Sequence, residues 1–411
     1  MPQPIFKYFY LLFFTLLSFG FIACDNNDDD GDDPDPDNTG APPDTISICN
    51  DIREEVILAN DPDKPVDYYI PCDMEFKEGG ILRVEAGTVL EVSSDKILSF
   101  DDDSEVHFDG TSSDSITIRG QEAVAGYWQG ILIEGTNNPT NSISYTRLQD
   151  AGSASVSTFI NAGSGILLER GGACIIDHSS FTRIDGHGLV VRDGADIEGF
   201  TANSFSDITL EPALIRTNQL QHLDNTLTFS NLQEEHITAI YQGTEHEVNQ
   251  ELTIGFNVLP IRFIEEIEIP DDHSLTLEAG VEFILGSEHS IQADGPLRIQ
   301  GTEQDSVHIG PEVEVAGGWN GIYIGSDSPL NTFEYAIIEY GGGGQLDPGQ
   351  TKNANIWIAT GAALTAENCR ISNADGWGVI TDENAVGQSG EFTQTNLLFY
   401  DNPQGNVGTE D

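Results

Sequence analysis

Apolar residues in this chain come in short bursts, each opened by a small residue and closed by a polar turn. Gly130-Ile131-Leu132-Ile133, Gly165-Ile166-Leu167-Leu168, Gly188-Leu189-Val190-Val191 and Ala213-Leu214-Ile215 form one series. Gly321-Ile322-Tyr323-Ile324, Asn355-Ile356-Trp357-Ile358 and Gly378-Val379-Ile380 form another. Successive bursts start 23 to 25 residues apart, except for one step of 34 or 35 at the same point in each series. No stretch keeps a 3.6-residue apolar period for three turns, so long amphipathic helices are not expected. Short strands between Gly, Asn or Asp turns, at so even a spacing and with few hairpin signals, do not build a sandwich.

A coil of about 22 to 25 residues suits a parallel β-helix, in which each turn carries three short strands that pair with their counterparts about 4.8 Å away. Inward side chains then stack as columns of Ile, Val, Leu and Phe while their neighbours face solvent. Such columns account for recurring apolar positions in a chain that is only 38% hydrophobic. Crossover chirality makes the coil right-handed. The expected class is therefore all-β, a right-handed single-stranded parallel β-helix of about 12 to 15 turns and about 60 to 70 Å.

A longer repeat is superimposed on the coil. Val84-Glu85-Ala86-Gly87 returns as Leu277-Glu278-Ala279-Gly280, and Gly110-Thr111 with Asp114-Ser115-Ile116 returns as Gly301-Thr302 with Asp305-Ser306-Val307. Trp128 and Trp319 stand at equal places before Gly130 and Gly321, Asn141 and Tyr145 match Asn331 and Tyr335, and Asp185-Gly186-His187-Gly188 matches Asp375-Gly376-Trp377-Gly378. The expected organisation is a first half over 49–245, including an N-terminal cap, and an internal duplicate with a C-terminal tail over 246–411. The two long steps, Ala151 to Ala162 and Gly341 to Asn353, add about a dozen residues that a stacked core has no room for. They are expected to loop out, and excursions from a rigid scaffold commonly carry binding.

The N-terminus reads as an export address. Lys7 precedes an apolar run from Tyr8 to Ile22, and Phe21-Ile22-Ala23-Cys24 resembles a bacterial lipobox, although Phe21 and Ile22 depart from its usual residues. Residues 1–23 are expected to be a lipoprotein signal peptide and Cys24 the lipidated residue, with the acyl chains as the membrane partner. Asp25 to Asp37 holds eight aspartates in thirteen residues, so 24–48 is expected to be a disordered tether. An acidic patch directly behind the lipidated Cys resembles the surface-export signal of Bacteroidota lipoproteins. That resemblance implies an outer-membrane, cell-surface location.

Charge narrows the partners. The formal net charge is −53, and −45 remains after the eight tail aspartates are discounted, so a nucleic-acid backbone would be repelled. Polyanionic glycans would need bridging divalent cations. Cys49 and Cys72 lie 23 residues apart, about one coil, and are expected to form a disulfide; Cys174 and Cys369 read as small core residues.

Leu277-Glu278-Ala279-Gly280-Val281, Gly301-Thr302, Gly317-Gly318-Trp319-Asn320-Gly321-Ile322 and Tyr335 to Gly342 together resemble bacterial surface proteins with right-handed, pectin-lyase-like β-helix repeats, over about residues 65–402. The resemblance implies the fold and leaves activity open. Enzymes of this kind use an Arg or Lys base beside a calcium-bound uronate, or paired carboxylates. Candidates for that chemistry are His187 in Asp185-Gly186-His187-Gly188, Asp185 itself and Arg183. The acidic motifs and Arg-x-Lys expected around a polygalacturonase Gly-His-Gly are missing, and the copy carries Trp377 where His187 stands. Asp101, Asp102, Asp103 and Glu105 form the densest acidic group in the array and are the candidates for Ca²⁺, the one cofactor considered. Trp357, Trp377, Tyr340 and Asp347 are the candidate ligand-binding residues, the indoles as platforms for sugar rings. Trp128 and Trp319 read as corner packing. The reading reached from the sequence is a surface-anchored lipoprotein whose rigid acidic β-helix serves binding, adhesion or structural spacing, with a glycan or surface protein as partner. The alternative is a polysaccharide lyase or glycoside hydrolase on the same fold.

Overall fold

The computed structural model of the chain describes residues 45–101, 103–155, 161–240, 247–347, 350–383 and 390–410. Cys24, the signal peptide, nearly all of the tether and Asp102 lie outside them. The described residues form an all-β parallel solenoid of about 13 turns.

Five parallel sheets line the coil. A thirteen-stranded sheet, here the spanning sheet, runs from Met74–Phe76 to Leu398–Tyr400. In the first half it is joined by an eight-stranded sheet containing Val89–Val92 and a six-stranded sheet containing Ile81–Glu85. In the second half its neighbours are two six-stranded sheets, one containing Ser274–Glu278 and the other, here the Tyr323 sheet, containing Gly321–Ile324. The change of sheets falls at a 3₁₀ helix, Thr217–His222. There side-chain amides continue the ladder: Gln219 accepts from the Ile197 N–H at 2.9 Å, and Asn218 accepts from the Asn249 N–H at 3.1 Å and donates to the Glu247 carbonyl at 3.1 Å.

Alternation along the strands sets what is inside. Val84, Phe108, Ile143, Ile176 and Phe200 occupy one register column, all buried, and Phe181, Phe205 and Phe229 stack at 4.7 and 5.6 Å between ring centroids. Burying each of these side chains contributes about 1.5–3 kcal/mol. The array starts earlier than the sequence suggested. Ile46–Ser47, placed in the tether by the sequence, pairs with Tyr68–Tyr69, because the Ile46 and Ile48 N–H groups find the Asp67 and Tyr69 carbonyls at 3.1 and 2.9 Å. The segment from Cys49 to Phe76, expected to begin the array and cap it, carries strands Glu55–Leu58, Tyr68–Ile70 and Met74–Phe76. Cys49 and Cys72 are joined in a disulfide across these first turns, their Cα atoms 5.6 Å apart.

The repeated residues are those the corners require. Tyr145 and Tyr335 hold φ of +46° and +48° where the chain turns, and the next turn repeats the kink at His178 (+49°) and Asn368 (+54°). Asn141 accepts from the Val106 N–H at 3.0 Å and donates to the Ala173 carbonyl at 3.0 Å; Asn331 does the same with Leu297 and Ala363, at 3.0 and 3.0 Å. Each amide thus ties three turns together from inside the corner. Cys369 takes over the place of Ser179. The Ser179 hydroxyl bridges the Thr146 N–H and the Ile143 carbonyl at 3.0 and 3.1 Å, and the Cys369 thiol bridges the Ala336 N–H and the Phe333 carbonyl at 3.4 and 3.3 Å.

The second copy is not in line with the first. Val89–Val92, Ile116–Gly120 and Thr146–Gln149 belong to the eight-stranded sheet, whereas their counterparts Glu282–Leu285, Val307–Pro311 and Ala336–Glu339 belong to the spanning sheet. Gly130–Glu134 lies in the spanning sheet and its counterpart Gly321–Ile324 in the Tyr323 sheet. The duplicate is therefore turned by one side of the three-sided coil.

Replacing Asn331 with Leu leaves the Leu297 N–H and the Ser326 and Ala363 carbonyls without their amide partner. At about 1–3 kcal/mol for each buried group left unpaired, Asn331→Leu is expected to cost at least about 3 kcal/mol in urea unfolding. Amide exchange at Leu297 should speed up with it; an unchanged midpoint and exchange rate would contradict the ladder role.

Candidate functional site

Each half sets its excursion at the corner where one strand hands over to the next, and each corner is built on a buried Trp. Trp128 and Trp319 are both fully buried, their indole N–H groups donating to the Gln149 and Glu339 carbonyls at 2.7 and 2.8 Å. In front of each Trp a loop bends outward and carries an exposed valine, Val124 at 54% and Val315 at 53% exposure.

In the second half the corner between the spanning sheet and the Tyr323 sheet opens as a groove of about 580 Å³, running across successive turns. Val315, Tyr340, Asn373, Asp375, Asp401 and Asn406 are among its walls. Tyr340, Asn373 and Asp401 sit one above another, held by the Tyr340 N–H to Ser372 carbonyl and Asn373 N–H to Tyr400 carbonyl bonds of 3.1 and 3.0 Å. All three are left-handed, with φ of +64°, +57° and +50°, a geometry that tips their side chains out of the coil at a cost that the ladder hydrogen bonds offset. Burial and the Glu339 and Glu314 carboxylates raise the Tyr340 phenol above its ordinary value, so it stays a hydrogen-bond donor. Asp375, Asp401 and Asn406 are exposed. No Lys or Arg follows Arg370, so this end of the chain offers carboxylates and amides but no side-chain cation of that kind.

Beneath the groove a charged cluster braces the spanning sheet. Glu339 accepts from His308 at 3.0 Å, from Arg370 at 3.1 Å and from Ser372 at 3.0 Å, and His308 also lies 3.6 Å from Glu282. Burial works against the His308 imidazolium, yet Glu282 and Glu339 outweigh it and raise its pKa. His308 holds the Glu282 carboxyl below its usual value.

The ligand-binding candidates from the sequence divide between two places. Tyr340 lies in the groove. Trp377 stands two residues beyond Asp375, half-buried, its indole flat against Gly405 and Gly408, where an added Cβ would come within 2.6 and 2.7 Å of the ring. Trp357 is 2% exposed, packed with Leu346, Ala354 and Ile380 beneath the second excursion, so it has no free face for a sugar and the platform reading is corrected for it. Asp347 is on the same excursion and hydrogen-bonds Tyr323, whose phenol is pushed up to about 12, chiefly by burial and then by Asp347, Asp294 and Asp382. The excursion is not a free loop: Leu346 and Gln350 are buried, and Thr351 bonds through its backbone N–H to Glu410 in the last strand at 2.8 Å.

The catalytic candidates do not converge. Arg183 is spent on buried Asp150 at 2.8 Å, Asp185 accepts from the Thr209 hydroxyl at 3.0 Å, and His187 faces Glu211 at 3.2 Å. Glu211 was missed by the sequence reading, because the residues that meet it come from the turns on either side of its own, His187 from one and His236 and Thr238 from the other. Burial alone would raise its pKa, but the two imidazoles more than offset this and hold the carboxyl well below the usual range. Glu105 is paired with His107 at 2.9 Å and Asp103 is exposed at a turn with φ of +60°. Among the described residues no group of three or more His, Cys, Asp and Glu is arranged to hold a metal ion, and no helix is long and apolar enough to cross a membrane.

Comparison with protein-family models, curated proteins and solved structures finds no match for the chain.

The His308 cluster gives a pH signature. A raised folded pKa means that its contribution is fully present below the unfolded value of 6.5 and is lost as pH rises through the folded value. The thermal midpoint of the protein is expected to fall, relative to that of His308→Gln, as the pH is raised above 6.5. Parallel profiles for the two proteins would show that the cluster adds nothing.

Proposed function

We propose that this protein is a cell-surface lipoprotein, anchored through Cys24, whose β-helix binds neutral saccharide chains in the groove beside Tyr340. The groove itself carries the reading. A pyranose needs an apolar surface for its C–H faces and hydrogen-bonding partners for its hydroxyls, and Tyr340 and Val315 stand there beside Asn373, Asp375 and Asn406. Three carboxylates, Glu314, Asp375 and Asp401, line the groove and no Lys or Arg does, so uronates and sulfated sugars are repelled while neutral ones are accepted. The groove lies along the solenoid axis, as a linear polymer requires.

Binding is favoured over lyase chemistry by the disposition of the bases, and the product assay below separates binding from hydrolysis by the groove carboxylates. A lyase needs a cationic base at the substrate, and the histidine and arginines nearest the Gly-His-Gly motif are each engaged by a carboxylate: His187 by Glu211, Arg183 by Asp150, Arg192 by Glu169. The acidic exterior keeps a densely displayed protein dispersed where salt screens beyond about 8 Å.

Two measurements test this reading. β-1,4-linked hexasaccharides of glucose, xylose and mannose, and hexagalacturonate as the anionic control, are titrated into the protein with both heat and released products followed. At least one neutral hexasaccharide is expected to bind, and Asp375→Ala to weaken it about tenfold, roughly 1.4 kcal/mol; release of unsaturated or shortened sugars would overturn the non-catalytic reading. Cys24→Ser is expected to shift the protein from the membrane fraction to the soluble fraction and to abolish labelling with a fatty-acid probe. Retention of label would place the anchor elsewhere.

A further inference from the structure

We propose that the Tyr340 groove is closed at one end and takes the ends of neutral saccharide chains, not their middles. This rests on the saccharide reading of that groove and adds which part of the polymer it holds.

The outward row at this corner begins one turn before Tyr340. Ile309 pairs with Ile338, Ile338 with Ile371 and Ile371 with Phe399, so Pro311, Tyr340, Asn373 and Asp401 follow one another turn by turn, each two residues beyond its member of that column. Tyr340 and Asn373 are half-buried, and Asp401 is exposed. Pro311 is buried because the chain folds back over it: a Cβ on Gly318 would come within 2.8 Å of the Pro311 Cβ. In the first half the same contact is made with the partners exchanged, a Cβ on Gly120 meeting the Tyr127 ring at 2.6 Å. One member of the pair must be glycine, and in both halves the loop that leads to the buried Trp lies on the row.

That loop is a fixed wall. The Val315 N–H donates to the Val313 carbonyl at 2.7 Å, and the Gly318 N–H is shared between the Val315 and Tyr340 carbonyls at 2.8 and 2.9 Å. Fully buried Trp319 pins its far end. Glu314, Val315 and Ala316 face the groove from this loop, while Asp401 and Asn406 line it two turns further on, about 10 Å away. With Asp401 exposed, the groove is open on that side. A saccharide lying along the row therefore has room for a few sugars and meets the Val315 loop head on.

The chemistry of the closed end selects a terminus. Glu314 is exposed and, after burial and Glu339, is one of the groups that raise the Tyr340 phenol. It takes no part in the hydrogen bonds and ion pairs of the described residues. An ionised carboxylate accepts hydrogen bonds and donates none. The last sugar of a chain presents a hydroxyl, which donates, where every internal sugar presents a linkage oxygen, which only accepts. Glu314 thus favours the end over the middle. The terminal ring rests on Tyr340 against Val315, and the sugars behind it run past Asn373 to Asp401. Ends multiply as a polymer is cut, so the capacity of a given mass of saccharide for this protein rises with cleavage by an endo-acting hydrolase.

The test uses the full chain carrying Cys24→Ser, the neutral hexasaccharide that binds best in the panel above and the soluble polymer of the same sugar. Calorimetry is expected to give one protein bound per saccharide chain for both ligands. Partial endo-hydrolase cleavage of a fixed mass of polymer should raise the protein bound in proportion to the ends created. Two blocked hexasaccharides, one reduced to the alditol and one methylated at the terminal hydroxyl of its other end, are expected to differ: one loses binding about tenfold or more, the other binds like the parent sugar. Glu314→Ala should weaken hexasaccharide binding about tenfold with the thermal midpoint unchanged. Protein bound per chain that grows with chain length, or two blocked sugars that both bind undiminished, overturns end recognition and spares the saccharide reading. No binding by any neutral sugar removes both.

Discussion

Everything in this molecule depends on a hydrogen-bond ladder that runs along the coil axis rather than within any one segment. Each strand is three to six residues long through most of the coil and has no partner until the next turn is laid upon it, so no turn is stable alone. A strand shifted by one residue would turn its apolar side chains to solvent. The register is held at the corners, where Asn141, Asn331 and Asn203 put amides into the ladder and where left-handed residues recur at the same step of successive turns. The corners are consequently the part of the coil that tolerates least change in backbone and most change in what projects from it.

The proposed binding surface follows from that asymmetry. The inner columns accept only apolar side chains of the right volume, and the flat sheet faces are short. Left-handed corner residues such as Tyr340, Asn373 and Asp401 have their backbone fixed by the ladder and their side chains aimed outward. A rigid row of outward groups repeated at the spacing of the turns is a natural surface for a linear polymer. The two excursions begin beside such rows, and the second is folded down over Trp357 and fastened to the last strand instead of reaching into solvent.

The acidic composition has a structural counterpart. With 16 Lys and Arg against 69 Asp and Glu, most cations are taken up in specific pairs: Arg183 with Asp150, Arg192 with Glu169, Arg370 with Glu339. The buried pairs fix side chains at the coil surface, because removal of either member would leave a charge uncompensated in a poorly solvated place. What remains on the outside is predominantly negative, which disfavours the approach of polyanions.

The sequence by itself determined the parallel coil, its period and the identity of the repeated corner residues, because stacking imposes the same requirement on every turn and so writes it into the chain repeatedly. The match of Trp128 with Trp319 pointed to a corner, whereas Asn141 with Asn331 and Tyr145 with Tyr335 were legible only as repeats, and stacking gave them their corner place. Tertiary structure alone decided which of the candidate residues meet. Tyr340 and Asp375 come from different turns of one groove, Trp357 is covered while Trp377 stays half open, and His187 turns to Glu211 instead of Asp185. The rotation of the second copy by one side of the coil was also hidden. A linear repeat records how many residues separate two copies, but the side each faces depends on the residues consumed at every corner between them, and that sum is fixed only when the turns are stacked.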